Sequence, residues 1–342
     1  MGEPRFLVVR LSSLGDIVHT LPAVAALRES FPAAHIVWIT HRRWRMLVER
    51  SGLTSEIVAV ETRSLSSLRE TVSRVRRSRW DAGIDYQGLW KSAALPFLGG
   101  VKPRIGFSAE TVRESGVPIL YTERVKAAKA HIAEQNGELS MRAGAKRVSA
   151  SISLQVSEQD QAAWSQYLRE HDVERYIVLS PGGGWRSKCW PAERFGELCR
   201  KIDESFGFRC VVNVGPDEED LAAAVLAASG DARPLPYQGS LGQLMALLGR
   251  ATCVVGGDTG PLHLAVALGT RCVALFGPTD PARNGPYRGA EVSASSAHSD
   301  IVLRAPDART TYKRGSEPDA SMLAIDVAMV CDAVGRVAGA NS

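Results

Sequence analysis

The sequence predicts an α/β protein built from two doubly wound, Rossmann-like domains facing a central cleft. Three observations lead there. The chain has 342 residues, too many for one comfortable hydrophobic core and about right for two α/β domains. Short apolar runs alternate with longer segments of helical period, the rhythm of βαβ units and a parallel sheet. That rhythm stops in a polar stretch, about Ser151 to Glu174, and then restarts.

In the first series, Phe6–Leu11 reads as a buried strand and Ile17–Arg28 as the helix that follows. His35–Thr40 is a second strand, Trp44–Arg50 begins a helix, Leu65–Arg79 is helical, and Ala82–Asp85 is a short strand end. The second series opens with strand Ile177–Ser180, helix Pro191–Phe206 and strand Arg209–Val214. Helices Glu219–Ala228 and Leu241–Leu248, strand Cys253–Val255, helix His263–Leu268 and strand Arg271–Phe276 follow. Ser157 to Asp160 forms a helix cap in the polar stretch, and Ser321–Val337 reads as an amphipathic helix. The domains are drawn as residues 1–160 and 175–320. In such sheets ligands sit at the carboxyl ends of the strands.

Composition narrows the class. With 45% hydrophobic and 23% charged residues, the chain is an ordinary globular protein without a disordered region. A net charge of +4 gives no ground for nucleic acid binding. The six cysteines form no CxxC pair and have no histidine at ligand spacing, so they are read as reduced, buried thiols of a cytoplasmic protein. Met1–Arg10 runs straight into a strand without a signal-peptide pattern, and no apolar run reaches membrane-spanning length. A soluble protein is expected, in contact with a membrane at most peripherally.

Three motifs carry chemistry. Arg10-Leu-Ser12-Ser-Leu-Gly15-Asp16 joins the first strand to a helix start, where small residues admit a ligand to unpaired N–H groups. Taken alone, Asp16 reads as a capping carboxylate. No GxGxxG dinucleotide fingerprint is present. Ser180-Pro-Gly182-Gly183-Gly184-Trp-Arg-Ser-Lys188 puts three glycines and a lysine directly after a strand, which suits a diphosphate, although it is not a Walker A loop. Gly256-Gly-Asp258-Thr259-Gly260-Pro-Leu-His263 is a second strand end leading into an anion-binding helix start. Between them, Asp217-Glu218-Glu219 offers carboxylates either to a ribose diol or merely to a helix dipole.

Together these motifs resemble the ADP-heptose:lipopolysaccharide heptosyltransferases, most closely the type I members that add the first heptose to Kdo–lipid A. The likeness also takes in Asp85-Tyr-Gln-Gly-Leu-Trp-Lys91-Ser-Ala93, Arg104-Ile-Gly106 to Arg113-Glu114, and Ala130-His-Ile132. The resemblance implies a GT-B fold, with helix 321–338 packing back on the first domain, and an inverting transfer that needs no metal. It implies Asp16 as the general base and Lys188 as the partner of the leaving diphosphate. Donor contacts would come from Ser12, Gly15, Gly183, Gly184, Lys188, Glu218, Asp258, Thr259, Gly260 and His263. Arg63, Lys91 and Arg113 would meet an anionic, lipid-linked Kdo acceptor. No DxD motif is present.

Two basic runs stand outside this set. Arg42-Arg43-Trp-Arg45 suits acidic head groups or the inner face of the inner membrane, and Arg74–Arg79 reads as a solvated helix face. Glu61-Thr-Arg63-Ser carries one base where type I enzymes often carry several. Competing readings are a family member acting on a later core acceptor or another sugar, and a nucleotide-sugar binding protein without turnover. The segment from Ala305 to Ser316 reads as a loop at the cleft or a connection to the last helix.

Overall fold

A computed structural model of the chain describes residues 3–289 and 300–339. The chain divides into two compact units, Met1–Gln155 and Val156–Ser342. Strands of the first unit are β1 (Arg5–Val9), β2 (His35–His41), β3 (Glu56–Val60), β4 (Ala82–Asp85), β5 (Arg104–Phe107) and β6 (Glu123–Val125). Those of the second are β7 (Tyr176–Ser180), β8 (Arg209–Asn213), β9 (Leu235–Tyr237), β10 (Cys253–Gly257), β11 (Cys272–Phe276) and β12 (Ile301–Arg304).

Every pairing is parallel. The first sheet runs β3-β2-β1-β4-β5-β6 and the second β12-β11-β10-β7-β8-β9. Counted from its own first strand, the second repeats the order of the first, and each reverses direction between its first and fourth strands. The central strands are buried, apart from Arg5 at the start of β1, because helices cover both faces. On one face of the first sheet Leu7, Val9, Val37, Ile39, Val58 and Val60 form a core with Val75 and Leu95 from the covering helices. Strand alternation sends Phe6, Val8, Ile36 and Trp38, equally buried, to the other face.

Two helices differ from the sequence reading. The helix expected over Ile17–Arg28 is two, Leu14–Val18 and Leu21–Ser30, because Pro22 lacks the N–H that would continue the first ladder. The C-terminal helix is also two pieces, Ala320–Leu323 and Val327–Gly339. The resemblance implied a place for it on the first domain. Val327, Val330, Cys331, Val334 and Val337 recur at helical spacing, and this stripe joins the core of the second unit beside Phe195, Leu198, Val255 and Leu275. Trp190 Nε1 and Arg194 Nη1 donate to the Ile325 carbonyl at 2.8 and 2.7 Å, fixing the approach to it. Helix Glu158–Glu170, started by the Ser157 hydroxyl accepting from Asp160 N, packs in the second unit against helix Leu241–Gly249. No described helix is long and apolar enough to cross a membrane.

Candidate active site

Both sheets carry chemistry at the point where strand order reverses, the place where open α/β sheets bind ligands. In the first unit this is the gap between the ends of β1 and β4. Arg10 leaves β1 with its guanidinium buried: Nη1 donates to the Tyr86 carbonyl just past β4, and Nη2 lies 2.7 Å from Asp16 Oδ1. Leu11 N donates to Gln87 Oε1 at 2.7 Å, so the two loops lock together.

Asp16 does cap its helix. Its Oδ2 accepts from Ser13 N at 2.9 Å and from the Ser13 hydroxyl at 2.8 Å. Yet its side chain stays 44% exposed while Arg10 is 8% exposed. A cap alone would not require a buried arginine behind it. Ser12 is half-buried just before this helix, and Gly15 is buried in its first turn.

The loop after β4 is organised by Asp85, which is fully enclosed. Its carboxylate accepts from the Tyr121 hydroxyl (2.7 Å), Ser92 Oγ (2.9 Å) and Gln87 N (2.9 Å). Burial pushes this carboxyl above the ordinary range despite those donors. Sequence reasoning quoted Asp85 within a motif and gave it no role. The signal was an acid ending a buried strand with Ser92 seven residues on. Arg63, Lys91 and Arg113 are all exposed in this unit.

In the second unit the reversal lies between β7 and β10, and it gathers most of the predicted donor set. Lys188, on the turn Arg186–Lys188, is buried and donates from Nζ to the Asp258 carbonyl at the end of β10. Its ammonium lies 3.9 Å from Asp258 Oδ2 and 4.1 Å from the centre of the Trp185 ring. Asp258 Oδ1 lies 3.0 Å from His263 Nε2, and Asn284 Nδ2 donates to Oδ2 at 3.4 Å. Burial alone would raise the Asp258 carboxyl. The His263 hydrogen bond and the Lys188 charge outweigh it and hold the group below the ordinary range. Thr259 is the N-cap of helix Gly260–Ala267, whose first N–H groups lack helical partners. Asn284 was missed by sequence reasoning, since nothing links its position to Asp258 before folding.

The glycine loop is there for close approach. A Cβ on Gly182 would stand 2.4 Å from Glu218 Oε1, and one on Gly183 would stand 2.7 Å from Cys189 Sγ and 3.8 Å from Lys188 Cε. Gly184 is the exposed member, 4.0 Å from Lys188 Cε on the same construction. Glu218 is held by Gly215 N donating to Oε2 at 2.7 Å. A cavity of about 600 Å³ opens here, lined by Gly182, Trp185, Asp217, Glu218, Glu317 and Pro318 among others. The 305–316 segment belongs to the second unit. Ser187 Oγ donates to the Lys313 carbonyl at 3.2 Å and accepts from Gly315 N at 3.4 Å, and Arg314 lies 5.4 Å from the Trp185 ring centre.

Two parallel sheets of this order, one ending in an outward carboxylate and the other in a glycine loop over a buried lysine, are the architecture of the GT-B fold. Residues 68–306 match the model of glycosyltransferase family 9 (heptosyltransferase), and the chain belongs to that family. It is similar to lipopolysaccharide heptosyltransferase 1 of Pseudomonas aeruginosa, 29% identical over 305 residues that cover 85% of this chain and 84% of that one. Among solved structures it resembles Escherichia coli heptosyltransferase WaaC with ADP (26% identity, TM-score 0.74, covering 97% of this chain and 99% of that one). A family 9 glycosyl transferase from Veillonella parvula shares the fold at 21% identity, with TM-score 0.84 over 99% of this chain and 98% of that one.

Proposed function

We propose that this heptosyltransferase acts in lipopolysaccharide core assembly. It moves a heptose from ADP-L-glycero-β-D-manno-heptose to the Kdo of Kdo–lipid A, with inversion and without a metal ion. The observation that carries this reading is the division of charge between the units. Asp16 offers a half-exposed carboxylate backed by Arg10, while Lys188 lies buried beside the start of helix Gly260–Ala267.

Asp16 takes the proton of the acceptor hydroxyl as that oxygen bonds to the anomeric carbon, on the face opposite the nucleotide. The bond from that carbon to the diphosphate oxygen breaks, and its electron pair leaves with ADP. Lys188 and the N–H groups of the helix start, around Thr259 and Gly260, take up the developing negative charge. Glu218 receives the ribose hydroxyls against Gly182, and Asp258 holds Lys188 and His263 in place for the donor. Arg63, Lys91 and Arg113 supply exposed cations suited to the Kdo carboxylate and the lipid A phosphates. A lipid-linked acceptor calls for peripheral contact with the inner membrane.

The test is ADP release from ADP-heptose, with and without de-O-acylated Kdo–lipid A, in EDTA. Release that depends on the acceptor and survives EDTA is expected. Release abolished by EDTA and restored by a divalent cation would sink the metal-free mechanism. Turnover only with an already heptosylated acceptor would move the enzyme to a later core step.

A further inference from the structure

One face of the first unit combines exposed apolar side chains with cations. Trp90, Phe97 and Leu98 on helix Trp90–Leu98 are 49%, 45% and 48% exposed, and Ile119 on the turn Val117–Leu120 is 71% exposed. That turn packs against the helix, and Trp90 lies against Gly116 immediately before it, where an added Cβ would be 2.9 Å from Trp90 Cζ2. Trp90 and Phe97 are seven residues apart, as are Lys91 and Leu98, so the two pairs form adjoining rows about 100° apart around the helix. Exposed apolar side chains are ordinarily scattered singly, and a contiguous group marks an interaction surface.

Two segments that border the patch carry only cations. Residues 88–102 contain Lys91 and Lys102 and no acid, and residues 71–80 contain Arg74, Arg76, Arg77 and Arg79 and no acid. Arg74 is engaged by Glu56 at 2.7 Å. Arg76 donates from Nε to the Leu98 carbonyl at 2.7 Å, which brings its guanidinium to the end of the apolar stripe. The acid of the neighbouring loop, Glu114, accepts from Trp90 N at 2.8 Å at the helix start. The Arg74–Arg79 run, read from sequence as a merely solvated face, therefore borders an apolar patch.

We infer that this face docks on the surface of an anionic phospholipid bilayer. Trp90, Phe97, Leu98 and Ile119 enter the head-group boundary, and Arg76, Arg77 and Lys102 meet the acidic head groups. A second copy of the chain is a poorer occupant, because a two-fold contact would set these like cations against each other. The inference deepens the proposed function by naming the surface from which a lipid-linked acceptor is reached. The binding itself requires neither donor nor acceptor.

The experiment is co-sedimentation of the full chain with vesicles of phosphatidylglycerol and phosphatidylethanolamine, and with phosphatidylcholine vesicles. Two double variants are compared, Leu98→Ser with Ile119→Ser and Arg77→Glu with Lys102→Glu. The wild-type chain is expected to bind the anionic vesicles, less so at raised salt, and each double variant to lose roughly tenfold in partitioning. Turnover of both variants on the de-O-acylated acceptor should match wild type, while turnover on vesicle-embedded acceptor falls. Absent wild-type binding to anionic vesicles, or folded variants that bind as wild type does, would overturn the inference. So would a concentration-dependent dimer that these variants abolish. Vesicle binding without any heptosyl transfer would instead count against the proposed function and leave this surface standing.

Discussion

The two units share a strand order and differ in what they do with charge where that order reverses. In the first, the cation is hidden and the carboxylate faces out: Arg10 is tied to Tyr86 and supports the half-exposed Asp16. In the second, lysine, aspartate and histidine are all buried together, with glycine backbone and a helix start beside them. One scaffold thus yields a site that presents a proton acceptor and another suited to receiving negative charge. Even the two buried aspartates part company. Asp85 is raised by enclosure among neutral donors, whereas Asp258 is lowered by a cation and a histidine.

The largest test of this contrast is Asp16→Ala. Loss of the base should cut kcat by about 10³-fold or more, and steady-state ADP release checks it. Turnover near wild type would remove Asp16 from the chemistry. Lys188→Ala comes next, with kcat/KM expected to fall about 10²-fold and ADP affinity to drop with it. Calorimetric titration with ADP reads the second effect.

Gly182→Ala is smaller. The new methyl must displace Glu218 from 2.4 Å, and donor affinity should weaken about tenfold with kcat little changed. An unaltered KM for the donor would separate Glu218 from the ribose.

The smallest effect concerns pH. The Asp258 carboxyl is depressed below its ordinary 3.8, so its contribution to stability is complete above that value and is lost as pH falls through the lower, folded one. Asp258→Asn should flatten the acid arm of a melting-temperature profile. A mutant profile parallel to that of wild type would contradict the depressed value.

Much of this was legible before folding. Alternating apolar runs marked the β1, β2, β7, β8, β10 and β11 strands, since parallel strands buried on both faces are continuous in Val, Ile and Leu. Arg104–Phe107, Glu123–Val125, Leu235–Tyr237 and Ile301–Arg304 were missed as strands because three or four residues carry too little periodicity, and Glu56–Val60, an apolar run after Glu56, was passed over. Motifs at strand ends were legible because glycine, helix starts and charge cluster there in sequence. Partners remote in sequence were not: Asn284 meets Asp258, and Tyr86 meets Arg10, only through the sheet. The packing of Val327–Gly339 among Phe195, Leu198 and Val255 was not legible for the same reason. An amphipathic stripe shows that a helix is buried and not against which sheet.

The most direct test of the division between the units is to titrate ADP-heptose into Asp16→Ala and Lys188→Ala side by side and to measure turnover of both. The account predicts that Asp16→Ala binds donor within about twofold of wild type while failing to turn over, and that Lys188→Ala loses binding and turnover together. Equal loss of donor binding in both variants would contradict it, because base and diphosphate site would then not be separable.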